Sequence, residues 1–273
     1  MRNFNELLRN NWNEGKYLCV GLDPEYEKIP ESLRKSSVRE TIVAFNRAII
    51  DATKTIACGY KPNTAFYEAH GDEGFAALQE TCFYILEHAP EVALILDAKR
   101  ADIGNTNLGY VSFAFEQLRA DAITLHPYLG AEALQPFLDR KDKGIFILCR
   151  TSNPGAGELQ HLSVGEEPLY LHVAKRVASA WNGNGNCGLV VGATYPTEIA
   201  AVRKVAPGVP FLIPGIGAQG GDLRAAVAAA KEQEGAFLIC ASRSIMYASR
   251  GLDFAEAAQK AALELDTAIR TAV

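Results

Sequence analysis

Eight short apolar segments recur along the chain, and longer segments of helical period separate them. These segments are YLCVGLD from Tyr17, CGYKPN from Cys58, VALILD from Val92, AITLH from Ala122, GIFILC from Gly144, CGLVVGA from Cys187, PFLIPG from Pro210 and AFLICA from Ala236. Their apolar residues run on without the alternation of a half-exposed strand, which predicts parallel strands covered on both faces. Helical segments between them include SVRETIVAFNRAIIDAT, GFAALQETCFYILEHA, NLGYVSFAFEQLRA and DLRAAVAAAKEQ. This alternation favours an α/β fold, a closed (β/α)8 TIM barrel, as a single domain over residues 1–273.

A doubly wound open sheet is the structural alternative, because it also alternates strands and helices. No G-x-G-x-x-G follows the first strand, which weakens a dinucleotide-binding version of that fold. We find no linker or low-complexity segment, and 273 residues suit one barrel of about 250 residues. The polar, glycine-rich stretch from Asn153 to Glu167 is interpreted as a long active-site loop after strand five.

Composition excludes several classes of function. The formal net charge of −5 gives no reason to expect a nucleic-acid partner. The N-terminus lacks the apolar core of a signal peptide, and no segment has the length of a transmembrane helix, so we expect a cytoplasmic protein without a membrane partner. The six cysteines are scattered without a C-x-x-C pair, and we interpret them as small core residues.

Charged side chains cluster where strands two and three are predicted to end, which is the end at which barrel enzymes carry their reactive residues. Asp97 and Lys99 lie two apart in an extended segment, so they face one side together. Asp102 follows near the start of the next helix, and Lys61 ends the neighbouring strand. We therefore expect an alternating row of Lys61, Asp97, Lys99 and Asp102. A salt bridge that only stabilises the barrel explains any one of these charges, but four opposed charges favour function because desolvating ions is costly.

A glycine-rich segment, PGIGAQGGD from Pro214, follows strand seven, and Arg243 follows strand eight. Glycines let backbone amides approach an anion, and an arginine binds a phosphate with two parallel hydrogen bonds. The loops after strands seven and eight are the usual phosphate site of this fold. The ligand is therefore predicted to be a phosphate monoester.

These motifs together resemble the orotidine 5′-phosphate decarboxylase family. LDAKRADIGNT resembles its D-x-K-x-x-D-I signature, and TSNPGA after strand five and PGIGAQGGD are similar to its bacterial and archaeal subgroup. The resemblance runs from Asp23 to Arg243. It implies an enzyme of de novo pyrimidine biosynthesis that converts orotidine 5′-monophosphate to uridine 5′-monophosphate (UMP), with no metal and no organic cofactor.

The resemblance also implies a role for each matching residue. Lys99 would protonate C6 of the pyrimidine, Asp97 would lie against the substrate carboxylate, and Lys61 would lie near Asp97 and the ribose. Asp102, Ile103 and Thr106 would enter the active site of a second subunit, which implies a homodimer with shared sites. The remaining substrate-binding residues would be Asp23 at the ribose, Ser152 and Pro214 at the base, and Gly217, Gln219 and Arg243 at the phosphate.

One departure and two alternatives remain. The residue before Arg243 is Ser242, where the family pattern leads us to expect glycine, and this affects the expected shape of the phosphate loop.

Related Mg²⁺-dependent decarboxylases and aldolases share D-x-K-x-x-D but carry an acidic residue at the end of strand two, where this chain has Lys61. A phosphate-binding barrel without catalysis is the second alternative. His126 ends strand four and is interpreted as a hydrogen-bonded pocket wall.

Overall fold

A computed structural model describes residues 2–216, 221–231 and 236–273. Eight parallel strands close into a barrel in which each strand pairs with its neighbours in chain order, and the last strand pairs with the first. The predicted TIM barrel and its eight strands are therefore confirmed. The strands are β1 (Leu18–Leu22), β2 (Gly59–Pro62), β3 (Ala93–Arg100), β4 (Ala122–Leu125), β5 (Gly144–Arg150), β6 (Cys187–Val191), β7 (Phe211–Pro214) and β8 (Phe237–Ala241).

One helix precedes the first strand, and the other helices follow strands and cover the outside of the barrel. In chain order, the helices are α1 (Phe4–Asn13), α2 (Val38–Thr53), α3 (Ala65–Glu68), α4 (Gly71–His88), α5 (Gly104–Val111), α6 (Gly130–Leu138), α7 (Gly157–Gln160), α8 (Leu169–Arg176), α9 (Pro196–Val205), α10 (Leu223–Ala230), α11 (Arg243–Met246) and α12 (Phe254–Ala272). Within the described ranges, none of these helices combines the length and the apolar character needed to cross a bilayer.

Two parts of the chain differ from the sequence prediction in detail. The helix predicted over NLGYVSFAFEQLRA is α5 followed by a π-helical turn, Ser112–Gln117. The stretch from Asn153 to Glu167 is not an irregular loop, because it contains a 3₁₀ turn, α7 and a two-stranded ribbon that pairs Ser163–Val164 with Glu167–Pro168. Two hydrogen bonds hold this stretch in place, because the Thr151 N–H donates to the Gln160 side-chain oxygen and the Gln160 amide donates to the Thr151 hydroxyl, and periodicity gives no signal for such bonds.

Helix α1 closes the N-terminal end of the barrel. Phe4 packs edge-to-face on Phe146 of β5, with ring centroids 5.6 Å apart, and the Trp12 indole donates to the carbonyl of Phe237 at the start of β8. The barrel interior above Phe4 is filled by small and medium side chains, including Cys19, Cys58 and Cys240. All six cysteines are buried free thiols, as predicted. With the bottom plugged, the C-terminal ends of the strands form the open mouth.

Candidate active site

A row of three alternating charges lies at the mouth where β2 meets β3. The Asp97 carboxylate accepts from Lys61 Nζ at 2.8 Å through Oδ2 and from Lys99 Nζ at 2.6 Å through Oδ1. Lys61 and Asp97 are buried, whereas the Lys99 side chain is 47% exposed. The row therefore runs from a buried ammonium through a buried carboxylate to an ammonium that reaches the surface of the cavity.

Burial and charge compete in setting the pKa values of this row. Burial on its own would raise the pKa of Asp97, but the attraction of Lys61 and Lys99 outweighs it and holds the pKa well below its usual range. Burial would likewise lower the pKa of Lys61, and the neighbouring negative charge of Asp97 instead raises it. The Asp97 carboxylate and the Lys61 ammonium therefore both stay ionised at neutral pH.

Thr124 of β4 completes the hydrogen bonding of this row. Its Oγ1 donates to Asp97 Oδ1 at 2.9 Å and accepts from the backbone N–H of Lys99 at 2.9 Å. Sequence reasoning missed Thr124. The available signal was a single hydroxyl within the otherwise apolar strand AITL.

The backbone of Lys99 has an uncommon conformation. Its φ is +45°, in the left-handed region that residues other than glycine rarely adopt. The pairing of β3 with β4 shifts at the same place, because Leu96 pairs with Ile123 whereas Arg100 pairs with Leu125. Such strain costs of order 1 to 3 kcal/mol and persists only where the surroundings enforce it, which is frequent at active sites.

Asp102 does not join the row within one chain. The strand has ended before it, and its carboxylate accepts from the N–H of Ile103 at 2.7 Å, just before α5. Buried Asn107, which the sequence reading missed, accepts from the Asp102 N–H at 2.8 Å. In the described part of the chain Asp102 has no ion pair, so three of the four expected charges are joined. Ile103 and Thr106 beside it are exposed.

Asp23 lies directly after β1, and its carboxylate is the next feature of the mouth. Its Oδ1 is buried and has no hydrogen-bond partner among the described residues. The backbone of Asp23 is held from both sides, because its N–H donates to Met246 Sδ and its carbonyl accepts from the Tyr247 hydroxyl. A buried carboxylate oxygen without a donor is costly, so the position is suited to a ligand hydroxyl.

Ser152 lies after β5 on a segment that a second ion pair anchors. Buried Arg150 donates to Glu198 of α9 at 2.6 Å and to the carbonyl of Thr151 at 2.7 Å. The other Glu198 oxygen pairs with His161 Nε2 at 2.8 Å. A side chain at Gly192 would lie 2.8 Å from the backbone of Ser152, so β6 approaches this segment closely. Sequence reasoning missed this network.

The predicted phosphate side of the mouth is described in part. Pro214 ends β7, and Arg243 begins α11 directly after β8, with an exposed side chain. Gly217 and Gln219 lie outside the described residues. The unexpected Ser242 is accommodated by Gly21 of β1, because a Cβ at residue 21 would lie 2.6 Å from the Ser242 Cβ. At the end of β4, His126 Nε2 lies 3.2 Å from the carbonyl of Ala101, which is the hydrogen bonding expected for this residue.

Comparison with known proteins identifies the family to which this chain belongs. Residues 16–261 match the model of the "Orotidine 5′-phosphate decarboxylase / HUMPS family". The chain is 54% identical to the orotidine 5′-phosphate decarboxylase of Herpetosiphon aurantiacus over 246 residues, which cover 90% of this chain and 89% of that protein. It is similar to the structure of Leishmania donovani OMP decarboxylase, with a TM-score of 0.84, 41% identity and coverage of 99% of this chain and 100% of that chain.

A longer protein also contains a similar barrel. The structure of Leishmania donovani UMP synthase matches with a TM-score of 0.86 and 43% identity, and the match covers 99% of this chain but 57% of that one.

Proposed function

Since this chain belongs to the orotidine 5′-phosphate decarboxylase / HUMPS family, we propose that it decarboxylates orotidine 5′-monophosphate with Lys99 as the acid that protonates C6. The protein is a carboxy-lyase that forms UMP in pyrimidine biosynthesis. The observation that carries the assignment of roles is the row of ammonium, carboxylate and ammonium formed by buried Lys61, buried Asp97 and half-exposed Lys99.

The reaction breaks the bond between C6 and the carboxylate carbon, and the electron pair stays on C6 as carbon dioxide leaves. The Lys99 ammonium, fixed by Asp97, stabilises the negative charge as it develops and then transfers a proton from Nζ to C6. Solvent returns the proton to the Lys99 amine. Because Asp97 remains anionic, it also repels the substrate carboxylate beside it, an effect that disappears when carbon dioxide departs.

The other side chains of the mouth would bind the rest of the nucleotide. The Oδ1 of Asp23, which has no partner among the described residues, supports a hydrogen bond from a ribose hydroxyl, with Lys61 on the adjacent strand β2. Ser152 would bind the edge of the pyrimidine, and Pro214 would pack near the base. Gly217, Gln219 and Arg243 would hold the phosphate, whose binding energy orients the reacting carbon over Lys99.

A second copy of the chain would complete each site. Asp102 has no ion pair with described residues. Exposed large apolar side chains occur on the segment that leads into α5, in α5 itself and just before α6, namely Ile103, Leu108, Tyr128 and Leu129, and α5 packs against α6. Exposed apolar side chains on neighbouring elements are typical of a protein interface. We therefore propose a homodimer in which Asp102, Ile103 and Thr106 reach the partner's site.

Mixed dimers test this arrangement. If sites are shared, a mixed dimer of Lys99→Ala and Asp102→Ala chains has one intact site, contributed by both chains. Random mixing makes half of the dimers mixed, so activity returns to about one quarter of the wild-type level. Activity no greater than the sum of the two separate variants contradicts shared sites.

The chemistry at Asp97 favours catalysis without a metal. Lys61 donates to one Asp97 oxygen and Lys99 to the other, so two ammonium groups occupy the carboxylate that a Mg²⁺ ion would need. Absorbance of the orotate ring, followed with orotidine 5′-monophosphate in the presence and absence of EDTA, tests the proposal. We expect equal turnover in both. Loss of activity with EDTA favours a metal-dependent relative, and binding without turnover favours a phosphate-binding barrel.

Three further points belong to the proposal. Residues 1–273 would form one catalytic domain, which fits the insertion of α1 into the barrel end. The six free buried thiols support a reducing compartment such as the cytoplasm. The motifs DAKRADIGNT and TSNPGA support membership of the bacterial and archaeal subgroup.

A further inference from the structure

Thr124 is the residue of the mouth whose role the family assignment leaves open. Its side chain is buried in β4, with 1% of the residue exposed, and it has two hydrogen-bond partners that belong to Asp97 and Lys99. We propose that Thr124 is a positioning residue that aims the Lys99 ammonium and the Asp97 carboxylate by holding both from one hydroxyl group. This inference rests on the proposed function of Lys99.

The two hydrogen bonds fix the orientation of the hydroxyl group. The backbone N–H of Lys99 only donates, and the ionised Asp97 carboxylate only accepts. Thr124 Oγ1 must therefore accept a hydrogen bond from the Lys99 N–H and donate one to the Asp97 carboxylate. A hydroxyl serves both partners from a single atom. Valine has nearly the same shape but serves neither, and serine keeps the hydroxyl while it loses the methyl group.

The backbone around Lys99 shows why such a support is needed. Between the pairs Leu96–Ile123 and Arg100–Leu125, β3 advances by four residues while β4 advances by two. The pairing register shifts here, and the Lys99 N–H donates to the Thr124 side chain of β4. The φ of +45° at Lys99 falls within the same short stretch. Thr124 therefore binds the Lys99 N–H where the register shifts and the backbone is strained.

The consequence for catalysis is geometric. The Lys99 side chain is half exposed and its Nζ is held only by Asp97 among the described residues, so the direction of the side chain depends on the backbone at its root. Removing the Thr124 hydroxyl releases the backbone N–H of Lys99 and also removes one of the hydrogen-bond donors to Asp97. A displacement of about 1 Å at a reacting group can reduce turnover by about 100-fold.

The test compares Thr124→Val with Thr124→Ser. We expect Thr124→Val to lower kcat by about 10- to 100-fold with KM changed less than about threefold, because the ground-state contacts to the nucleotide remain. Thr124→Ser should keep at least about half of the wild-type kcat. Rates are expressed per folded enzyme, with the folded fraction measured by circular dichroism. A Thr124→Val enzyme with near wild-type kcat contradicts the proposal, as does a Thr124→Ser enzyme that is equally impaired.

A second readout does not depend on turnover. Amide hydrogen exchange of Lys99, followed in ¹⁵N-lysine-labelled protein, should be at least about tenfold faster in Thr124→Val than in wild type and unchanged in Thr124→Ser. Unchanged exchange in Thr124→Val overturns the positioning role. If the wild type does not decarboxylate orotidine 5′-monophosphate, the proposed function fails, and the exchange result still decides whether Thr124 holds the Lys99 backbone.

Discussion

Two sides of the barrel mouth each contain a buried cation paired with a carboxylate, but they use the pair differently. On one side, Lys61 and Asp97 lie on adjacent strands, and the pair continues to Lys99, which faces the cavity. On the other side, Arg150 of β5 bonds to Glu198 of α9, and that carboxylate extends outward to His161. The first pair leads into the cavity, whereas the second fastens the segment that follows β5.

This difference distinguishes the residues proposed to act in the reaction from the residues that hold the structure in place. In the proposed mechanism the β2–β3 side presents the Lys99 charge to the reacting carbon from rigid strands, so its groups should affect kcat most strongly. The β5–β6 side keeps its charges among protein groups and acts on the segment that contains Ser152, so its groups should affect KM and stability. Variants of the two sides should therefore differ in which quantity changes (kcat, or KM and stability) as well as in how much it changes.

The largest combined effect should come from Asp97→Asn. The change leaves Lys61 buried without its counterion and Lys99 without its partner, so kcat should fall by several orders of magnitude. Breaking a buried ion pair by removing one partner costs about 3 to 5 kcal/mol, and urea unfolding measures that cost. If the variant kept most of its rate, the two sides would not differ as described.

The pH dependence of that cost checks its electrostatic origin. The pKa of Asp97 is lower in the folded than in the unfolded protein, so its stabilisation is fully present above an ordinary carboxyl pKa of about 3.9 and is lost as the pH falls toward the folded value. The difference in free energy of unfolding between wild type and Asp97→Asn should therefore shrink below about pH 4. A constant difference would indicate a packing defect.

An intermediate effect is expected for Arg150→Met. Methionine keeps much of the volume but loses the ion pair with Glu198 and the hydrogen bond to the Thr151 carbonyl. The free energy of unfolding should fall by about 3 kcal/mol, and KM should rise by about tenfold with a smaller change in kcat.

The double variant with Glu198→Gln is the matched control for that change. Because both changes break the same ion pair, their effects should not add. A fall in kcat at unchanged KM would assign Arg150 to the chemical step and remove the distinction between the two sides.

The smallest effect should come from His161→Gln. The His161 side chain is 46% exposed, and pairs this open to solvent contribute about 0 to 1 kcal/mol. KM should change by less than about twofold. His172→Gln, at an exposed position of α8, is the control. A loss as large as that of Arg150→Met would show that the outer contact, and not the buried pair, fastens the segment.

The two sides also differ in what the sequence could predict. The eight apolar runs predicted the strands and the barrel, and strand alternation predicted that Asp97 and Lys99 share a face. Arg150 and Glu198 are 48 positions apart on different elements, so their contact depends on the packing of α9, for which periodicity gives no register. Thr124 was similarly hidden, because its role depends on a register shift between β3 and β4. Asp102 was placed in the row because its spacing suggested proximity, but the chain turns into α5 there.

The central claim is that the Lys99 ammonium supplies the proton to C6, and turnover of Lys99→Ala tests it most directly. The half-exposed side chain can be removed without opening the core, so the variant should fold and bind UMP within about tenfold of wild type while kcat falls by several orders of magnitude. Lys54→Ala, which breaks the ion pair of Lys54 with Asp51 at the end of α2, is the control and should keep the wild-type rate. A folded Lys99→Ala enzyme with a near-normal kcat would contradict the account.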